Sequence, residues 1–243
     1  MIPVDHPRYR SLVTRERLAD CAKKGIVAWE GLTAHGRGEA FDYIIGERTT
    51  RSALVAERTA AAMLLMADHP VISVNGNTAA LAAHEISALQ KACGACVEVN
   101  LFHRTEARVI MIEDLLREAG VDVFSGDAEQ LLPLSHDRAW CRREGMFSAD
   151  VVLVPLEDGD RCEALVAMGK TVIAIDLNPL SRTARSATLT IVDELTRALP
   201  QITHACREIS EPEKKSLISS VDNHYLLSEA IREMTDRLSH ALD

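Results

Sequence analysis

A chain of 243 residues with a formal net charge of -9 and 47% hydrophobic side chains is long enough to bury a sizeable core, and it reads as a single α/β domain over residues 1–243. It has no run of ~18 apolar residues and no basic segment ahead of an apolar one, so neither a membrane span nor a secretory leader is expected, and the expected compartment is the cytoplasm. Aromatics at 4% and the lack of a Lys/Arg-rich run exclude a general nucleic-acid groove, so anionic ligands have to be met by local arginines.

The chain opens on IPVDHPRYRSLVTRERL, where Pro3 and Pro7 keep the first residues extended and a helix is expected from near Ser11. Arg8, Arg10, Arg15 and Arg17 gather there, either as a solvated helix face or as an arm over a phosphate-bearing ligand. In GLTAHGRGEAFDYIIGE, Gly36 and Gly38 flank Arg37 ahead of a helix expected from Glu39. Such a loop would let backbone N–H groups, a guanidinium and a helix N-terminus converge on one anion, with His35 alongside. Residues 1–50 thus read as an N-terminal helical arm with an HGRGE loop.

Arg51 to Asp68 is rich in alanine and leucine, free of glycine and proline, and is expected to form a helix packed on the sheet. PVISV reads as a strand and Asn75-Gly76-Asn77 as the turn into the helical run TAALAAHEISALQKAC, which puts both amides at the sheet's carboxyl edge. Of the six cysteines, Cys93 and Cys96 form a lone CxxC; without a second pair it specifies neither zinc nor a redox centre, and buried thiols are the better reading. A strand over roughly residues 95–101 ends in Asn100, His103 and Arg104. Thr105 is placed to cap a helix to about Ala119, and Val121 to Phe124 reads as a short strand. Arg104 is the ligand candidate here, whereas His103 reads as a satisfied structural histidine. Residues 126–149 carry turn signals and no clean period, an excursion over the sheet edge with no chemistry assigned.

The stretch from Asp150 to Asp193 organises the rest. Val151 to Val154 and Val172 to Ile175 are unbroken apolar runs, suited to strands of a parallel sheet buried on both faces. Each strand ends on polar residues: Glu157, Asp158 and Asp160; then Asp176, Asn178, Ser181, Arg182 and Arg185; then Asp193 and Glu194. In an open parallel α/β sheet the ligand crevice lies at those ends, so residues 70–195 are the expected core and bear the expected site. Gly169-Lys170-Thr171 leads into a strand instead of opening a helix, which sets a P-loop aside. Asp176 has the spacing of a ribose-binding acid, yet no GxGxxG precedes it. Glu157, Asp158 and Asp160 read equally as Mg2+ carboxylates beside a nucleotide and as acids at a helix N-terminus. Residues 200–243 are a charged helical appendage, and its stripe Leu227, Ile231, Met234, Leu238, Leu242 is either sheet cover or a homodimer contact.

Taken together, HPRYRSL with Arg15, GLTAHGRGEAFDYIIGE, PVISVNGN, EVNLFHRTEAR, ADVVLVPLEDGDRCEALVAMGK and VIAIDLNPLSRTAR resemble the archaeal phosphopantothenate synthetase (4-phosphopantoate–beta-alanine ligase) family over about residues 3–200. The resemblance implies a Rossmann-like, doubly wound, mostly parallel sheet with helices on both faces. It implies a homodimeric enzyme of coenzyme A biosynthesis that joins 4-phosphopantoate to beta-alanine and cleaves ATP to AMP and diphosphate through an acyl adenylate. By the family's pattern, ATP contacts fall on Arg15, Arg37, Asp176, Leu177, Asn178, Arg182, Thr183 and the pair Glu194-Leu195, where the family usually has Asn in place of Glu194. For that chemistry Arg37, with Asp158 and Asp160 through Mg2+, are candidates to stabilise phosphoryl charge, and His35 is the candidate base for the amine. Asn75, Asn77 and Arg104 are the candidate contacts to the acid substrate. The alternatives are another nucleotide-dependent ligase or kinase, and an ATP-binding module without turnover.

Overall fold

The computed structural model describes residues 2–242. Three helices come first, α1 (Tyr9–Lys23), α2 (Trp29–Ile45) and α3 (Arg51–Met66). The alternating core continues as β1 (Pro70–Val74), α4 (Gly76–Cys93), β2 (Cys96–Val99) and α5 (Glu106–Glu118). A small antiparallel pair, β3 (Glu129–Gln130) and β4 (Trp140–Cys141), leads into β5 (Val151–Pro155), α6 (Gly159–Ala167), β6 (Thr171–Ile175), α7 (Arg182–Ser186) and β7 (Leu189–Ile191). The chain closes on α8 (Leu195–Glu208), α9 (Glu211–Ser219) and α10 (Asn223–Ser239). No helix among the described residues is long and apolar enough to cross a membrane.

The main sheet is parallel throughout, in the order β2-β1-β5-β6-β7. The strand expected over 121–124 shrinks to one bridge, Val123 beside Val97, with Phe124 N donating to Val97 O at 2.8 Å. Ser125 and Gly126 (φ 139) then turn the chain away before a second residue can pair. With that bridge counted, the strands follow the 3-2-1-4-5-6 order of a Rossmann-like fold, and the order reverses between β1 and β5.

Both faces of the sheet are covered, as its apolar strands require. Ile72, Val74, Leu153 and Ile173 pack with Leu64, Leu89, Ile112 and Leu199 from α3, α4, α5 and α8. On the other face Val71, Val152, Val154 and Val172 meet Cys162 and Leu165 of α6 and Leu132, Cys141 and Met146 of the 126–149 excursion. Residue 200 falls inside α8, whose Leu199 and Ile202 belong to the main core. In α10, Leu227 and Met234 are buried with Ile45 and Val192, whereas Ile231, Leu238 and, beyond the helix, Leu242 are exposed.

The HGRGE segment is not a loop. α2 runs through it from Trp29, so Gly36 and Gly38 are helix-interior residues and offer no backbone nest to an anion. The helix ends at Gly46 (φ 98), whose N–H bonds the carbonyls of Asp42 and Tyr43. Each interior glycine costs about 1 kcal/mol of helix propensity. Among the interior glycines of α2, the one that close approach demands is Gly31: a Cβ there would lie 2.3 Å from Asn77 Oδ1.

Candidate active site

A cleft of about 700 Å³ opens between α1, α2 and the carboxyl ends of β6 and β7, lined among others by Ser11, His35, Glu39, Leu177, Glu194 and Arg197. Arg17 fixes α1 to its back wall: α4 breaks helical geometry at Ala82, and Arg17 Nη1 donates to the Leu81 carbonyl at 3.0 Å. Glu39 is the hub of the front wall. It accepts from Arg15 Nε at 2.9 Å, from the Ser11 hydroxyl and from Arg8. Burial opposes its ionisation, but Arg15 and Ser11 outweigh burial and hold Glu39 below the usual carboxylate range. One turn earlier, His35 Nε2 is buried without a hydrogen-bond partner, and burial pulls this imidazole below its ordinary value.

The loop after β6 is built on side-chain bonds. Asp176 accepts from Asn178 N at 2.9 Å and from the Ser181 hydroxyl, while Asn178 Oδ1 accepts from Leu180 N at 2.9 Å. Burial pushes Asp176 upward despite those bonds. Arg37 stands exposed on α2 within electrostatic reach of Asp176, with no hydrogen bond of its own among the described residues. Arg182 points outward to Asp160 (2.6 Å) and Glu163 (2.8 Å). The Thr183 hydroxyl is buried and donates to Glu157 O at 2.8 Å. Glu194 caps α8 by accepting from Thr196 N at 2.8 Å, and the Leu195 side chain is core.

Behind the cleft lies a buried charge cluster. Arg197 bridges Asp42 and Asp193, and Asp193 also accepts from Thr49 Oγ1 at 2.6 Å. Glu57 is 1% exposed, faces Asp193, and neither of its oxygens meets a donor. Burial first, then the Asp193 charge, push its pKa up to about 9, so it carries a proton at neutral pH. The folded state therefore holds a proton that the unfolded chain releases near 4.5; stability is complete below that value and drains as pH rises toward about 9. Glu57→Gln keeps the shape without the ionisation. Its thermal midpoint should exceed that of the parent by about 10–20 °C near pH 8.5 and lie within about 3 °C of it near pH 5. Parallel melting curves at the two pH values would refute a protonated Glu57.

Where the sheet order reverses, most polar groups are already engaged. Asn75 caps α4 through Thr78 N, and its amide donates to Pro155 O (3.2 Å) and Leu156 O (3.0 Å). Asn77 donates to Gly31 O at 2.8 Å. Both expected substrate amides are thus committed to the framework. Leu156 (φ 54) turns the chain inward, so Glu157 is buried between Arg161 and Arg138. Asp158 pairs with Arg138 at 2.9 Å, and Asp160 with Arg182. The three acids read as a magnesium set each face an arginine, and the described residues contain no group of three or more His, Cys, Asp or Glu suited to a metal. Beside them Arg138 donates to Asn100 O at 3.2 Å, and Arg108 to His103 O at 2.7 Å.

A model of the phosphopantothenate/pantothenate synthetase family matches residues 52–237. The chain belongs to that family. It is 58% identical over 243 residues, all of both chains, to a 4-phosphopantoate–beta-alanine ligase of Methanospirillum hungatei. It is 55% identical to the ligase of that name from Methanosarcina mazei, over 98% of this chain and 95% of the relative. For the one from Thermococcus kodakarensis the identity is 49%, over 98% and 94%.

Seen within the synthetase family, the nucleotide residues carried over from the resemblance divide in two. Leu177 and Glu194 line the cleft, Arg15 reaches it through Glu39, and Arg37, Asp176 and Asn178 surround the loop at its base. The Thr183 hydroxyl is taken up by Glu157 O and the Leu195 side chain by the core, so neither side chain faces the cleft. Sequence reading missed Glu39, Glu57, His136, Arg138 and the burial of Arg161. Only SHDR, residues 135–138, offered a signal, a charged cluster inside a turn.

Proposed function

We propose that this chain is an ATP-dependent ligase that condenses 4-phosphopantoate with beta-alanine to 4'-phosphopantothenate, releasing AMP and diphosphate, in coenzyme A biosynthesis. The observation that carries the reading is the end-to-end identity to relatives bearing that ligase name, 58% over the full length of both chains in the highest of the three. The cleft supports it, because His35 and Leu177 line it where a strand-end site is expected, and Arg37 lies within electrostatic reach of the neighbouring Asp176.

In the first step a carboxylate oxygen of 4-phosphopantoate attacks the α-phosphorus of ATP, and the bond to diphosphate breaks. In the second the beta-alanine nitrogen attacks the acyl carbon, AMP leaves, and the nitrogen gives up a proton. Arg37, unpaired and exposed on α2, is free to meet the phosphoryl charge that builds in both steps. His35 takes the amine proton: its burial keeps the ring neutral, and Nε2 has no competing partner. Because Asp158 and Asp160 are held by arginines, Mg2+ belongs in this reading with the phosphates of ATP and not in a resident protein site. The exposed part of the C-terminal apolar stripe, Ile231, Leu238 and Leu242, supports a homodimer, and in this reading the enzyme is cytoplasmic.

Purified protein with ATP, Mg2+, beta-alanine and 4-phosphopantoate should form AMP and phosphopantothenate only when both the acid and the amine are present. Release of ADP would replace the adenylate by an acyl phosphate. ATP binding without turnover would reduce the protein to a binding module.

A further inference from the structure

We infer that Glu39 is a positioning residue of this site: it latches the first turns of α1 over the cleft, holds Arg15 there, and so sets the affinity for the nucleotide. The inference rests on the proposed ligase reading in taking ATP as the ligand that Arg15 meets.

The N-terminal segment forms much of the front wall of the cleft, through Val4, His6, Arg8, Ser11 and Thr14. It has no apolar anchor of its own. No residue from 2 to 17 is buried, and the burial of α1 begins at Leu18. A helical stretch of that length is marginal in water without tertiary support. Its fastenings are polar and come from one face of α2. Glu39 and Tyr43 lie four residues apart on that face, and Glu47 follows just past the helix end. Arg8 donates to Glu47 at 2.9 Å and stands 5.1 Å from the centre of the Tyr43 ring. Arg8, Ser11 and Arg15 all converge on Glu39. Behind them Arg17 donates to Leu81 O, which fixes the point where the wall joins the body of the protein.

The contact orients Arg15 without exhausting it. Arg15 commits one edge of its guanidinium, with Nε 3.0 Å from Glu39 Oε1 and Nη2 2.9 Å from Oε2. Its Nη1 has no hydrogen bond among the described residues, and the side chain is 47% exposed. A planar guanidinium held by one edge keeps the other for a phosphoryl oxygen. Glu39 itself is 14% exposed and is held ionised by Arg15 and Ser11 against the effect of burial, so the latch stays charged at neutral pH. Its carboxylate is taken up by these partners, and it acts on a ligand through Arg15 and the wall that Arg15 belongs to.

The test pairs backbone hydrogen exchange with steady-state kinetics on the parent and Glu39→Gln, which keeps the shape and removes the charge. Amides of residues 12–17 should exchange about 10-fold faster in the variant, with those of β1 and β5 unchanged. KM for ATP should rise about 10-fold, the weight of one charge-assisted contact no longer held in place, while kcat at saturating ATP falls less than about threefold. Glu39→Asp, which restores the charge on a shorter stem, should recover part of both effects. Equal exchange in parent and Glu39→Gln would overturn the latch. So would a lower KM for ATP in the variant, because Glu39 would then be competing with the nucleotide for Arg15. If the parent makes no phosphopantothenate, the ligase reading fails, and exchange still reads the latch without turnover. ATP should then slow exchange over residues 12–17 in the parent, and no protection by ATP would overturn the link between this wall and the nucleotide.

Discussion

Replacing Arg161 with methionine is expected to cost about 3–5 kcal/mol of folding free energy, which for a chain of this size lowers the thermal midpoint by about 6–20 °C. Arg161 is fully buried, donates to Ser73 Oγ at 3.0 Å, and pairs with Glu157, whose side chain is 2% exposed. Burial works against a charge on Glu157, but Arg138 and Arg161 reverse that and hold the carboxylate below its ordinary range. Removing one guanidinium leaves a buried anion with half its compensation, the situation in which truncating a buried pair is most destabilising. The double variant Arg161→Met/Glu157→Gln removes the anion as well and should recover at least half of the loss in a denaturant titration. If Arg161→Met alone stays within about 1 kcal/mol of the parent, Glu157 is not the charged group described here.

The second large effect falls on turnover. Arg37→Ala should lower kcat/KM for ligation about 10²- to 10³-fold, the cost of removing one preorganised donor to a developing oxyanion. Because Arg37 is exposed and bonds no other group among the described residues, the melting temperature should not move. Arg37→Lys, which keeps the charge and loses the planar fork, should lie between the two. Steady-state kinetics beside a melting curve separates the cases, and near-normal turnover in Arg37→Ala would place this arginine outside the site.

The parallel core could be read from Val151 to Val154 and Val172 to Ile175 because an unbroken apolar run ending on charge has few other uses. The HGRGE segment reads as a loop because two glycines around an arginine look the same in a loop and in a helix. What separates the two is packing, and the α2 contacts that decide it come from Asn77, Leu177 and α10, far away in sequence. Strand-end position located Asp176, Asn178 and Glu194 correctly at the sheet's edge. The same rule cannot tell a side chain that faces a ligand from one that holds the framework, which is why Asn75, Asn77, Asp158 and Thr183 all looked available. The excursion was opaque for another reason: Arg138 and His136 acquire meaning only once the chain has folded back over the end of β2.

The carbonyls at the mouth of the sheet have a further consequence. Those of Asn100, His103, Pro155, Leu156 and Glu157 each already accept from a side chain of this protein, from Arg138, Arg108, Asn75, Asn75 and Thr183 in turn. Each of these bonds pins a strand-end carbonyl with a side chain, so the backbone at the mouth of the sheet is held by the framework itself before any ligand arrives.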